Sequence, residues 1–193
     1  MQKLTPNDLY TLEGYARERP AFRARVLEHK KNRIVHLGDH LTLVFEDRLT
    51  VQYQIQEMLR VERIFETDGI AAELDAYNPL IPDGRNLKAT MLIEYPDEQV
   101  RARKLIELHG IEHRVALHVG TLAPIIAIAD EDLDRSTDTK TSAVHFLRFE
   151  LDPKHVAAFT TAEIALATDH PAYHARQVLS TPTRAALAAD FGY

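Results

Sequence analysis

From residue 88 onward the chain breaks into short apolar runs, at 88–95, 115–119, 125–129, 143–151 and 164–167. Many of the stretches joining them are too short to carry a parallel crossover, which needs a dozen residues or more. Helical patterning falls mainly before these runs. That order favours a mainly antiparallel sheet with helices packed on one side, N-terminal helices and one long helix, an α+β fold. The 193 residues show no internal repeat and no Gly/Ser linker, so one domain spanning 1–193 is expected.

Thr5-Pro6-Asn7-Asp8 reads as a helix start, with a first short helix reaching about residue 16. Pro20 opens a second, ending near residues 31–32. Runs at 33–36 and 41–45 flank Gly38-Asp39 and predict a β-hairpin. The longest helix is expected from residue 46 or 47 to about 66, with Gly69 breaking it before a short helix at 70–77. The two prolines and Asp-Gly at 78–84 make a turn-rich loop. A helix at 97–109 meets Gly110 as its C-cap. The polar segment 130–141 reads as a mobile loop, Pro153 opens a short helix, and 183–191 closes the chain as another.

Composition removes whole classes of chemistry. The chain has no cysteine, which excludes a disulfide framework, thiol catalysis, iron–sulfur ligation and cysteine-based zinc sites. A net charge of -6 argues against nucleic acid as a main partner, because phosphate binding wants a basic face. The basic stretch at 19–33 is interrupted by Glu28 and reads as a solvated helix face. No apolar leader opens the chain, and its most apolar run, at 122–129, is far shorter than the roughly 18 residues of a membrane span. The expectation is a cytoplasmic protein with no membrane partner. The sequence holds no G-x-S-x-G elbow, Walker-type loop or G-x-G-x-x-G turn.

Two histidine pairs invite a metal reading. His109-Gly110-Ile111-Glu112-His113 matches the inverted zinc-protease pattern, which works only on a continuous helix. Gly110 directly after a helical run would cap that run, so the two imidazoles diverge. His170 and His174 also stand four apart, and Asp169 could cap a helical turn that puts both on one face. They are the candidate ligands for a divalent metal, against the alternative of solvated histidines in an exposed loop.

On the long helix, Gln52, Gln56, Arg60 and Arg63 follow one another at helical spacing and form a polar stripe, with Glu57 and Glu62 in reach. Inside the fold such arginines would bind an anion bidentately; on the surface they would pair with the glutamates. Asn78 and Lys88 add polar groups where a loop meets a strand. Gln56, Arg60, Arg63, Asn78 and Lys88 are therefore the candidate lining of a polar pocket between the long helix and the sheet. His145 and Arg148 fall on opposite faces of one strand, and whichever points inward needs a buried partner, with Glu94 and Glu150 as candidates.

The stretches FEDRLTVQYQIQEMLRVERIFE, AYNPLIPDGRNLKATMLIEYPD and TSAVHFLRFEL resemble a bacterial family of proteins of about this length, defined by a domain of unknown function. The resemblance covers nearly the whole chain and brings no catalytic residues. It implies genes encoded near rubrerythrin-like and iron–sulfur proteins, hence a link to iron or peroxide handling and a redox protein partner. The leading expectation is a binding or accessory protein with a polar or anion pocket. The alternatives are a metal-dependent enzyme using histidine and carboxylate ligands, and a structural module that forms a homodimer.

Overall fold

The computed structural model describes residues 2–192. Helix α1 (Leu12–Lys30) starts where the Thr11 hydroxyl accepts the Gly14 N–H, and it buries Tyr15, Phe22 and Val26 along one stripe. Two separate helices were expected here, divided at Pro20. Instead Pro6–Asp8 is a single 3-10 turn, and α1 runs unbroken through Pro20. A proline removes one helical hydrogen bond. Pro20 and Ala16 are both exposed, so water can satisfy the Ala16 carbonyl left without its donor.

Strands β1 (Ile34–Leu37) and β2 (Leu41–Phe45) form the expected hairpin, turning at Gly38 with φ +71°. Helix α2 (Arg48–Glu62) opens with a reciprocal cap: Asp47 accepts the Thr50 N–H, and the Thr50 hydroxyl accepts the Asp47 N–H, both at 2.9 Å. It is shorter than expected and shorter than α1. The stop is Arg63, left-handed at φ 58°, whose N–H turns back to the Leu59 carbonyl. Gly69 therefore breaks nothing; it lies inside α3 (Thr67–Tyr77), where a Cβ would come within 2.6 Å of the Ile64 side chain.

Then follow β3 (Asn86–Ile93), α4 (Glu98–Glu107), β4 (Val115–Val119), β5 (Ile125–Ile126), β6 (Ile128–Ala129), β7 (Val144–Glu150), α5 (Pro153–Ala158), β8 (Ile164–His170), β9 (Tyr173–Val178) and α6 (Thr181–Ala188). All pairings are antiparallel, in two sheets ordered β1-β2-β3-β7-β6 and β5-β4-β8-β9. The expected strand at 125–129 is one extended segment divided between them. At its middle, Ala127 turns inward and donates to the Val115 carbonyl, so β5 lies on β4 and β6 on β7. On the opposite flank β1 and β9 come alongside. There the Tyr173 hydroxyl donates to the Leu37 carbonyl at 2.9 Å and accepts the His40 N–H at 3.0 Å.

The sheets thus curve into a barrel, and among the described residues no backbone ladder joins them at the β1/β9 seam. One continuous core fills it, with Phe45, Met91, Leu147 and Phe149 from the first sheet and Leu117, Val119 and Leu166 from the second. Each such fully buried side chain contributes about 1.5–3 kcal/mol relative to exposure. Helices α4, α5 and α6 add to this core through Leu105, Val156 and Leu187. Helices α1–α3 do not. Their apolar residues form two clusters of their own, one around Val51, Ile55, Leu59 and Leu74, the other around Tyr15, Phe22 and Val26. Where α2 passes over the outer face of the first sheet, the packing leaves a cavity.

Candidate functional site

Strand alternation sends Val44, Thr90, Leu92, Val144 and Phe146 to the outer face of the first sheet, where register pairs Val44 with Thr90, Thr90 with Phe146 and Leu92 with Val144. Thr50, Val51 and Gln54 of α2 face them, Tyr77 and Leu80 come from the end of α3 and the turn after it, and Lys30 from the last turn of α1. These elements enclose a cavity of about 300 Å³. Its walls are mainly apolar, and its fixed polar feature is Glu46. One Glu46 oxygen accepts the Thr50 hydroxyl at 2.6 Å and the other accepts the Thr90 hydroxyl at 2.8 Å. The carboxylate is thereby oriented by a helix and a strand together. Lys30, Gln54 and Tyr77 line the same space, and none of the three side chains forms a hydrogen bond or ion pair among the described residues.

Phe146 and Leu80 also line a smaller hollow of about 80 Å³, so the two make one groove. Lys88 stands in the smaller part, donating to the Pro79 carbonyl. Burial lowers its pKa, with Arg148 adding to the effect and Asp83 and Glu131 opposing it. Arg148 is held by Glu131 in a two-point clamp at 2.7 and 2.8 Å and by Glu150. Arg148 is thus matched by two glutamates, whereas Lys88 and Lys30 have no ion-pair partner among the described residues, and Lys30 is the cation that lines the larger cavity.

On the other face of β7, His145 points inward as one of the two expected alternatives, but its partners are neither Glu94 nor Glu150. Its Nδ1 meets Asp130 at 2.5 Å; its Nε2 meets the Thr141 hydroxyl at 2.7 Å and the Ser142 carbonyl at 3.1 Å. The Thr141 hydroxyl donates onward to Glu112 at 2.9 Å, and Ser136 donates to the other Glu112 oxygen at 2.5 Å. Burial alone would raise the pKa of Glu112, but the donors from Ser136, its own backbone and Thr141, together with the His145 ring, bring it below the ordinary value. The hydroxyl–imidazole–carboxylate spacing imitates a nucleophile relay. Thr141 is only 1% exposed and its proton is engaged by Glu112, so the arrangement works as an internal tie. Asp130, which holds the ring, is itself left-handed at φ +52°, a strained geometry for a residue with a side chain.

Of the five residues expected to share a pocket, only Lys88 lies in the groove. Gln56 is fully buried and grips the Tyr10 backbone with both ends of its amide, and Asn78 holds the Leu4 backbone in the same way. Arg60 is exposed and pairs with Glu57, which Arg19 and Tyr15 already engage; Arg63 is the exposed cap that ends α2. The structure therefore does not converge these two arginines on a cavity.

The segment holding His170 and His174 is a β-hairpin, not a helical turn. His170 faces the His109 carbonyl with Nε2 and accepts the Ala172 N–H with Nδ1, while His174 is exposed opposite Asp169. Gly110, at φ +84°, separates His109 from His113 as expected, and both histidines are exposed. No cluster of three or more His, Asp or Glu residues is arranged to hold a metal ion among the described residues. The groove residues Glu46, Thr50 and Thr90 escaped the sequence reading because hydroxyl-to-carboxylate ties leave no spacing pattern. The alternation Lys88-Thr90-Leu92 was the one available signal.

The family described as "Protein of unknown function (DUF3501)" matches residues 3–191. A crystal structure of a novel protein of unknown function from Burkholderia pseudomallei is similar over 98% of this chain and 99% of its own, with a TM-score of 0.93 and 52% identity. No curated protein matches the chain. No helix of the described residues is long and apolar enough to cross a membrane.

Proposed function

The chain belongs to this family of proteins of unknown function, and we propose that it is a binding protein whose groove takes a small ligand with an apolar body and one polar end. The cavity of about 300 Å³ between α2 and the sheet carries this reading. It meets the lower end of the range for ligand sites, roughly 300–1,000 Å³, and has their usual makeup of apolar walls with a few placed polar groups. Val44, Val51, Leu80, Leu92, Val144 and Phe146 would hold the apolar body. Glu46, with one hydroxyl already on each oxygen, keeps lone pairs for a ligand amine or hydroxyl, and Lys30 has its three donors for an acceptor.

The test uses three ligands with one apolar body and different heads: hexylamine, hexanol and hexanoate. At least one is expected to raise the thermal midpoint and to show saturable calorimetric binding. Val144→Arg, which projects a long side chain into the cavity from a half-exposed strand position, should abolish that binding. A flat response to all three heads sinks the reading, as does binding that Val144→Arg leaves intact.

A further inference from the structure

The second sheet carries its own cavity, on the face turned away from the core and remote in sequence from the groove. Register places Ala116 opposite Ala167 and Ile126 opposite Ala116, so these three side chains share the outer face, alternation adds His118 and Asp169, and Arg114 joins them from the turn before β4. With Pro124 they line a cavity of about 230 Å³. Alanine at both floor positions is what leaves the room. Ile126 and Pro124 form an apolar wall, and Ile126 is 53% exposed, unusual for an isoleucine on a sheet.

The polar side of this cavity sets two nitrogen-bearing side chains, Arg114 and His118, beside one carboxylate, Asp169. Arg114 has its nearest acidic partner, Asp169, at 3.8 Å, beyond hydrogen-bond distance, so its planar fork of donors is free among the described residues. His118 likewise has no hydrogen-bond partner among the described residues. Register adds His174 and Arg176 to the same face, and Arg176 is tied to Glu163 at 2.7 Å. A guanidinium fork matches a carboxylate in two-point geometry, and the apolar wall wants a compact hydrocarbon body. We infer that this face of the second sheet is a binding site for a small carboxylate with an apolar body. The carboxylate would lie on Arg114 and His118 and the body over Ala116 and Ala167 against Ile126. Asp169 sits close enough to hold Arg114 in reach without engaging its donors.

Benzoate is the probe, with benzyl alcohol and inorganic phosphate as comparisons. Titration into the isotopically labelled full chain should shift the amides of Ala116, His118, Ile126 and Ala167 saturably, ahead of those of Val144 and Phe146 in the groove. Arg114 is exposed, so Arg114→Gln folds; it should weaken benzoate at least tenfold, and Arg114→Lys should restore only part of the loss. Ala167→Phe should abolish the response by filling the floor. Benzyl alcohol and phosphate, each lacking half of the recognition, should bind at least tenfold more weakly. The inference fails if benzoate gives no saturable shifts here or if its shifts centre on the groove. It fails equally if Arg114→Gln changes nothing, or if phosphate binds as well as benzoate. Shifts centred on the groove would speak for that site instead; the other outcomes leave the groove reading untouched.

Discussion

His145 and Asp130 meet at 2.5 Å through Nδ1 and a carboxylate oxygen, and the contact fastens the 130–141 segment to the inner face of β7. Each ring nitrogen meets a buried polar partner, and through Thr141 the ring joins Asp130 to Glu112. Removing the ring leaves these buried groups without their partner. His145→Ala should therefore cost about 1–3 kcal/mol, the scale for leaving a buried polar group unsatisfied. Urea unfolding measures it. A loss below ~1 kcal/mol would show that water enters and replaces the ring, so the tie is not a sealed one.

Arg33 is buried at 1% exposure and donates to Asp190 at 2.5 Å and to the carbonyls of Phe45, Glu46 and Ala186. Burial, with Asp47 nearby, raises the pKa of Asp190 to about 6 despite the attraction of Arg33. The fold therefore favours the neutral acid. Its contribution is full below the ordinary carboxyl value of 3.8 and is lost as pH rises through about 6. Asp190→Asn, neutral at every pH, should gain on the parent protein between those values. Thermal midpoints of the two proteins at stepped pH supply the check; parallel curves would contradict it. Asp47 behaves oppositely. Burial opposes its ionisation, but Arg33, the Thr50 N–H and His29 outweigh it and lower its pKa, so its contribution exists above the ordinary value and fades in acid.

Gln56 and Arg60 stand one helical turn apart on α2 and should behave very differently. Gln56→Ala strips two part-buried hydrogen bonds from the Tyr10 backbone, a loss of about 1–3 kcal/mol. Arg60→Ala removes one exposed ion pair and should stay within about 0.5 kcal/mol. Neither should alter hexylamine, hexanol or hexanoate binding. A change in ligand affinity for either variant would put the stripe back among the binding groups.

Gly38 is constrained twice. Its φ of +71° disfavours a side chain, and a Cβ would lie 2.4 Å from the Tyr173 hydroxyl oxygen. Gly38→Ala should thus cost more than the ~1–2 kcal/mol of left-handed strain alone. In the Tyr173→Phe background the added cost should shrink, because the nearest clashing atom is gone. A double-mutant cycle with no coupling would mean that β1 and β9 are not held together as described.

Much of the framework was legible. Alternating runs with short connections gave the antiparallel strands at 41–45, 115–119 and 143–151 nearly to the residue, since period and turn residues are local signals. The errors came where a tertiary partner overrides a local signal. Pro20 breaks no helix, because the carbonyl it deprives of a donor is at the surface. Arg63, rather than Gly69, turns the chain left-handed. Strand β9 has polar, exposed positions and looked like loop, yet it pairs with β8 over its full length. Of the candidate lining residues only Lys88 lies in the groove, and it lines the smaller hollow rather than the cavity around Glu46. Gln56 and Asn78 are long-range braces to Tyr10 and Leu4, and spacing along the chain does not separate a brace from a ligand group.

The apolar clusters of α1–α3 do not merge with the barrel core, and the groove runs along the boundary between them. Glu46 bridges that boundary through Thr50 on one side and Thr90 on the other, and Arg33, bound to Asp190, also reaches Asp47 at the cap of α2. The apolar clusters of the helices and of the barrel are thus separate, with these polar contacts tying one to the other. Native-state amide exchange should show α1–α3 opening together at a lower free energy than the barrel strands. Anything seated in the groove touches helices and barrel at once, so occupancy would read out as slowed exchange in α2 as well as in β3 and β7.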